Sequence, residues 1–206
     1  MNTFMKKIIL VILFSLYTTI SLAKSLNTYI DEADNGNSTS AFKLGMIYEF
    51  GISGKVNKDL SKAIQYYTLA ADEDNYKAIS RLGVIYYNRS DYTKAISYFK
   101  IGASNEEALS EAYLGKILEE RSDKPESAVK FYESSVKKNN PYGKMFLGEF
   151  YIKNEERGSQ KFIKGYALLV SASKVNSEAK DIIKRHPYTF TDEDKEILKE
   201  EILKLR

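Results

Sequence analysis

The sequence predicts an all-α protein: an α-solenoid of about four helix-hairpin repeats with a C-terminal capping helix. Three observations predict it. The dipeptide Leu-Gly recurs at Leu44-Gly45, Leu82-Gly83, Leu114-Gly115 and Leu147-Gly148. Each copy opens an apolar stripe at helical spacing. A second set of sites alternates with the first: Lys62-Ala63-Ile64, Lys94-Ala95-Ile96, Ser127-Ala128-Val129 and Tyr166-Ala167-Leu168.

The spacing between the two sets separates rigid from variable connections. Ala63 to Gly83, Ala95 to Gly115 and Ala128 to Gly148 are all 20 residues. From each Gly to the following Ala the distance is 18, 12, 13 and 19. A packed element cannot change length without rotating its face, whereas a loop gains residues at little entropic cost. The first connection is therefore set by packing, and the second carries insertions.

The elements follow in chain order. Lys6 and Lys7, the apolar run Ile8 to Ile20 and the small-residue site Ser21-Leu22-Ala23 predict a signal peptide over 1–23, cleaved after Ala23. The alternative is an uncleaved anchor. However, the 13-residue run is interrupted by Ser15, Thr18 and Thr19, and a spanning helix needs about 20 apolar residues. Residues 24–39 form a lead-in whose Asp34-Asn35-Gly36-Asn37-Ser38 is a polar turn. The repeats then occupy 40–77, 78–109, 110–142 and 143–183. In each, helix A carries the stripe: Leu44, Ile47 and Tyr48; Leu82, Ile85 and Tyr86; Leu114, Ile117 and Leu118; Leu147, Phe150 and Tyr151. Gly inside helix A is unfavourable by about 1 kcal/mol relative to Ala. Four copies in one register imply that it admits the backbone of helix B, with the small Ala facing it. Helix B carries the aromatic pairs Tyr66-Tyr67, Tyr98-Phe99 and Phe131-Tyr132, expected to fill the space between hairpins. In the fourth copy Val170 and Ser171 replace the pair. The segment His186 to Phe190 breaks the helix. Thr191, with Asp194 three residues on, starts the capping helix of 184–206. Its apolar edge is Ile197, Leu198, Ile202 and Leu205.

Composition narrows the function. The chain of 206 residues is 43% hydrophobic and has no Cys, which excludes disulfides, thiolate metal sites and a lipidated cysteine. The formal net charge is +3. Since 1–23 holds Lys6 and Lys7 and no acid, 24–206 carries +1. That gives no electrostatic basis for nucleic-acid or anionic-membrane binding. No metal or cofactor is predicted. His186 is the only histidine, lacks a companion ligand set and sits beside Pro187 at a helix end, where it reads as an exposed loop residue. The spacing S-x-x-K occurs eight times among 20 Ser and 25 Lys. That reflects helical surface composition, and the companion S-D-N and K-T-G motifs are missing. The pairs Glu119-Glu120, Glu155-Glu156 and Glu200-Glu201 diverge on their helices and read as solvated faces.

Leu44-Gly45-Met46-Ile47-Tyr48-Glu49-Phe50-Gly51 resembles the L-G-x-x-Y-x-x-G of Sel1-like repeats, a branch of the tetratricopeptide superfamily. Asp59-x-x-Lys62-Ala63, Tyr66-Tyr67 and Ala70-Ala71 match that family's D-x-x-K-A, aromatic pair and A-A. The resemblance covers about 40–183 and is closest in the first copy. It implies a scaffold or adaptor that holds a protein or peptide on the concave face of its A helices. The expected role is an exported binding module, periplasmic or secreted, of adaptor, scaffold or immunity type, rather than an enzyme. The alternative it implies is a cell-wall or β-lactam-directed hydrolase. Exported relatives linked to β-lactams are rich in Cys, and this chain has none.

Two columns vary where the stripe does not, and both are expected to face outward. The column before Leu reads Lys43, Arg81, Tyr113, Phe146; the column after Gly reads Met46, Val84, Lys116, Glu149. Lys43, Met46, Arg81, Tyr113, Lys116, Phe146 and Glu149 are thus the candidate partner-binding residues.

Overall fold

The computed structural model describes residues 26–205, so the expected signal peptide lies outside the described residues. Among the described residues all regular elements are helices, apart from one isolated bridge. The segment expected as a lead-in contains a helix, α1 (26–34). It is followed by α2 (Ser38–Phe50), α3 (Leu60–Ala71), α4 (Tyr76–Asn88), α5 (Tyr92–Ser104) and α6 (Ala108–Arg121). A 3-10 turn (Pro125–Ala128) leads into α7 (Val129–Lys137); then come α8 (Pro141–Asn154), α9 (Gln160–Ala172), α10 (Ser177–Arg185) and α11 (Asp192–Lys204). The A helices are α2, α4, α6 and α8, and the B helices α3, α5, α7 and α9. Two compact units meet within α4, at Leu82 and Gly83. In the first, α2 packs on α3. In the second, α6 packs on α5, α7 and α8, and α9 on α8, α10 and α11.

The fixed connection has a local cause. Asp74, Glu106 and Asn139 each stand 11 residues after the repeat alanine and hold left-handed backbone, with φ of 55°, 58° and 59°. The next residue caps the following A helix. Asn75 accepts from Ala78 N (3.1 Å), Glu107 from Leu109 N (2.8 Å) and Asn140 from Tyr142 N (2.9 Å). A left-handed residue followed at once by an N-cap leaves no room for insertion. The D-x-x-K-A motif is the corresponding start of helix B. Asp59 accepts from Lys62 N and Asp91 from Lys94 N. In the third copy Lys124 replaces the aspartate and supplies no side-chain cap. The variable connection of the first copy is closed by Ile52 and Val56, whose backbones exchange two hydrogen bonds of 2.8 and 2.9 Å.

The repeat glycines make room for rings rather than for the alanines. A Cβ on Gly45 would lie 2.4 Å from the Tyr67 ring, on Gly83 2.5 Å from Phe99, and on Gly115 2.6 Å from Tyr132. The ring is the bulkiest group facing helix A, so it claims the vacant space. In the later copies the backbone of helix B also comes near, through Ala128 O at 3.2 Å and Gly165 O at 2.8 Å. The last contact also corrects the fourth register. Leu169 lies against Gly148, and Gly165 precedes it by four residues as Ala63 precedes Tyr67. Gly165 with Leu168-Leu169, not Ala167 with Val170-Ser171, is the fourth equivalent.

The C-terminal segment closes this packing. Thr191 and Asp194 form the capping box of α11, and Tyr188 and Phe190 pack at 4.9–6.1 Å among Phe162 and Tyr166.

Candidate functional site

The residue at the fourth position after each glycine is coupled to the helix-B ring. Where the ring is tyrosine, that position is glutamate: Tyr67 donates to Glu49 (2.6 Å) and Tyr132 to Glu119 (2.6 Å). Where the ring is Phe99, the position is Tyr87, which donates to Glu120 of the next A helix (2.9 Å). Where the fourth copy has Leu169, it is the apolar Ile152. A buried hydroxyl demands an acceptor and a phenyl ring does not. Charge on the A helices is thereby tied to the core behind it.

In the second unit this produces a polar seam along α6 and α8. Lys116 Nζ lies 3.6 Å from Glu119 and 3.5 Å from Glu120, and Lys153 lies 2.7 Å from Glu149. Burial raises the pKa of the Glu149 carboxyl. The Lys153 hydrogen bond and the charges of Lys153, Lys116 and Arg185 outweigh it and hold the group below its ordinary value. In the first unit Arg81 pairs with both oxygens of Glu49 and lies over the Phe50 ring.

The column before Leu faces the ring of the preceding hairpin, which corrects the expected outward orientation. Tyr113 and Phe146 are buried, at 7% and 6% exposure. Tyr113 stacks on Phe99 at 5.2 Å, and Phe146 meets Tyr132 at 5.9 Å. Arg81, beside Tyr67, is mostly covered by its ion pair. Lys43, with no such ring before it, is exposed and lies over the Tyr29 ring at 5.1 Å. Met46 is exposed at 40%, while Lys116 and Glu149 reach solvent only at the edge of the seam. The structure therefore brings Tyr113, Lys116, Phe146 and Glu149 together. Lys43 and Met46 remain the exposed members on α2.

The sequence reading missed Glu49 and Tyr87, and its reading of Glu119 and Glu120 as a solvated pair is corrected: Tyr132 and Lys116 hold Glu119, and Tyr87 and Lys116 hold Glu120. For Glu49, Tyr87 and Glu119 the signal was available as an internal match between the helix-B ring and the fourth residue after glycine. His186 is half-buried, and its carbonyl accepts from the Tyr166 hydroxyl. Among the described residues no three His, Asp or Glu converge as metal ligands.

The buried hydroxyls give a pH test. Burial and the Glu119 carboxylate raise the Tyr132 pKa; burial and Glu49 do the same for Tyr67, partly opposed by Arg81. Ordinary tyrosines ionise near about pH 10. Because the folded pKa is raised, this stabilisation is complete below that pH and declines as pH rises above it. An absorbance titration at 295 nm should show the last tyrosines ionising only as helical circular dichroism is lost. Full ionisation with the helices intact would contradict the seam.

Together the fold and seam define an α-solenoid of ring-locked helix hairpins with charged A helices. In its first two hairpins it is similar to Sel1 repeats. The family model described as Sel1 repeat matches residues 38–75 and 77–106. Solved structures share the fold. A protective antigen of uropathogenic Escherichia coli with an SLR fold has TM-score 0.67 and 23% identity, over 89% of this chain and 40% of that one. A Sel1 repeat protein from Oxalobacter formigenes has TM-score 0.64 and 19% identity, over 85% and 75%. An immunity protein from Pseudomonas aeruginosa has TM-score 0.59 and 20% identity, over 87% and 73%. The chain thus spans well under half the length of the Escherichia coli antigen. No curated protein sequence matches it.

Proposed function

We propose that this chain is an exported protein-binding module of immunity or adaptor type that holds a protein partner on its A helices. The observation that carries the reading is the seam. Lys116, Glu119, Glu120, Glu149 and Lys153 are fixed by ion pairs with one another and by the hydroxyls of Tyr87 and the buried Tyr132. Charges already ordered in the free protein lose little entropy on binding, and both signs on one face favour a specific partner over a generic polyanion. The fold shared with an immunity protein agrees with this reading, as does the leader-like sequence of residues 1–23.

The test has two arms. N-terminal sequencing of extracytoplasmic material should begin at Lys24; recovery of the full-length chain in membranes would overturn export. Two folded variants, Lys43→Glu with Met46→Glu and Glu120→Lys with Lys153→Glu, are then compared with wild type in capture of periplasmic protein and calorimetry on the captured partner. At least one variant should weaken binding tenfold or more. Equal binding by all three, or no reproducible partner, would overturn the assignment to the A helices.

A further inference from the structure

The third hairpin departs from the first two along one edge. In the first two copies the third residue after the glycine and the third after the alanine are stacked tyrosines. Tyr48 and Tyr66 lie 5.6 Å apart at 5°, and Tyr86 and Tyr98 lie 5.6 Å apart at 9°. The lysine before each alanine covers the pair, Lys62 over Tyr48 at 5.1 Å and Lys94 over Tyr86 at 4.9 Å. In the third copy these positions are Leu118, Phe131 and Ser127. Both hydroxyls and the covering lysine are gone.

In their place an apolar groove of about 580 Å³ runs between α5 and α7, with α6 as its floor. Ile96, Leu114, Ile117, Leu118 and Phe131 line it, and Lys100 is its one charged lining residue. The volume falls in the range of roughly 300–1,000 Å³ typical of ligand sites. Lys130 adds a second cation, its Nζ 5.1 Å from the Phe131 ring centre. Among the described residues neither lysine is within ion-pair distance of a carboxylate, although eleven such pairs occur elsewhere. An apolar floor beneath two uncompensated cations fits a segment that is apolar on one side and acidic at its margins.

We propose that the groove docks an amphipathic, acidic polypeptide segment of a protein partner. Its large apolar side chains enter between α5 and α7, and its carboxylates face Lys100 and Lys130. The surface uses different residues of α6 from the seam and does not rest on the proposed function.

The test uses three labelled 16-residue helical peptides and fluorescence anisotropy at low salt. One carries leucines on one face flanked by glutamates, the second has lysines for the glutamates, and the third has serines for the leucines. The acidic leucine peptide should bind at least tenfold more tightly than either other peptide. Lys100→Glu with Lys130→Glu, exposed changes that leave the core intact, should invert the preference between acidic and basic peptides. Equal binding of those two, an unchanged preference in the variant, or no binding of the acidic peptide would overturn the proposal. So would sedimentation showing a wild-type dimer that the double reversal dissociates, since the occupant would then be a second copy.

Discussion

Tyr132→Ala is expected to destabilise the unit beginning at Gly83 by about 3–5 kcal/mol, the range for deleting a buried ring. Tyr132 has no exposed surface. Its ring fills the space left by Gly115, and its hydroxyl donates to Glu119. Removing it opens a cavity that nothing on α6 can fill, because the residue opposite is glycine. Tyr132→Phe separates the two effects. It keeps the ring and removes one hydrogen bond to a carboxylate, worth about 1.5–3 kcal/mol. The low end is expected, because Glu119 keeps Lys116 and 15% of its side chain stays exposed. At about 2–4 °C per kcal/mol, the alanine variant should melt roughly 6–20 °C below wild type and the phenylalanine variant much closer to it. Equal melting of the two would mean that the hydroxyl, not the ring, holds the hairpin. An alanine shift below about 3 °C would remove Tyr132 from the core.

The repeated architecture was legible because its determinants are local in sequence. The glycine register, the fixed spacing and the aromatic pairs all lie within one hairpin. The same holds for the turn that enforces the spacing, where Asp74, Glu106 and Asn139 share one backbone conformation. The fourth register was misread because Leu168-Leu169 packs without the aromatic signature and Gly165 stands where alanine was sought. The orientation of the varying column was hidden for a different reason. Arg81, Tyr113 and Phe146 look unrelated as a set, so variation reads as exposure. Each is instead matched to a ring in the preceding hairpin: Arg81 with Glu49 beside Tyr67, Tyr113 on Phe99, Phe146 against Tyr132. Diversity between copies here records different neighbours, and it takes the packing to show which residues are neighbours. The groove beside α6 was missed likewise, since Leu118 and Phe131 are unremarkable until compared with the tyrosine pairs.

Gly83→Ala should change sign with the residue at 99. In wild type the new Cβ would lie 2.5, 2.6 and 3.0 Å from three atoms of the Phe99 ring. That ring has no exposed surface and stacks on Tyr113 at 17°, so it has no free direction in which to move. Overpacking of this kind is unfavourable by about 1–3 kcal/mol. Alanine in place of glycine inside a helix returns about 1 kcal/mol. The upper end of the steric term applies because the obstacle is a fixed ring, leaving a net loss of about 2 kcal/mol. In a Phe99→Ala background the obstacle is gone. All three nearest atoms belonged to that ring, so the same Gly83→Ala change should stabilise by up to about 1 kcal/mol. The difference, about 3 kcal/mol, is the coupling between helices A and B of one hairpin, at the top of the range for residues in contact. Urea denaturation of the four proteins in this double-mutant cycle measures it. If the two substitutions prove additive, Gly83 serves something other than the ring, and the repeated Leu-Gly loses its physical explanation.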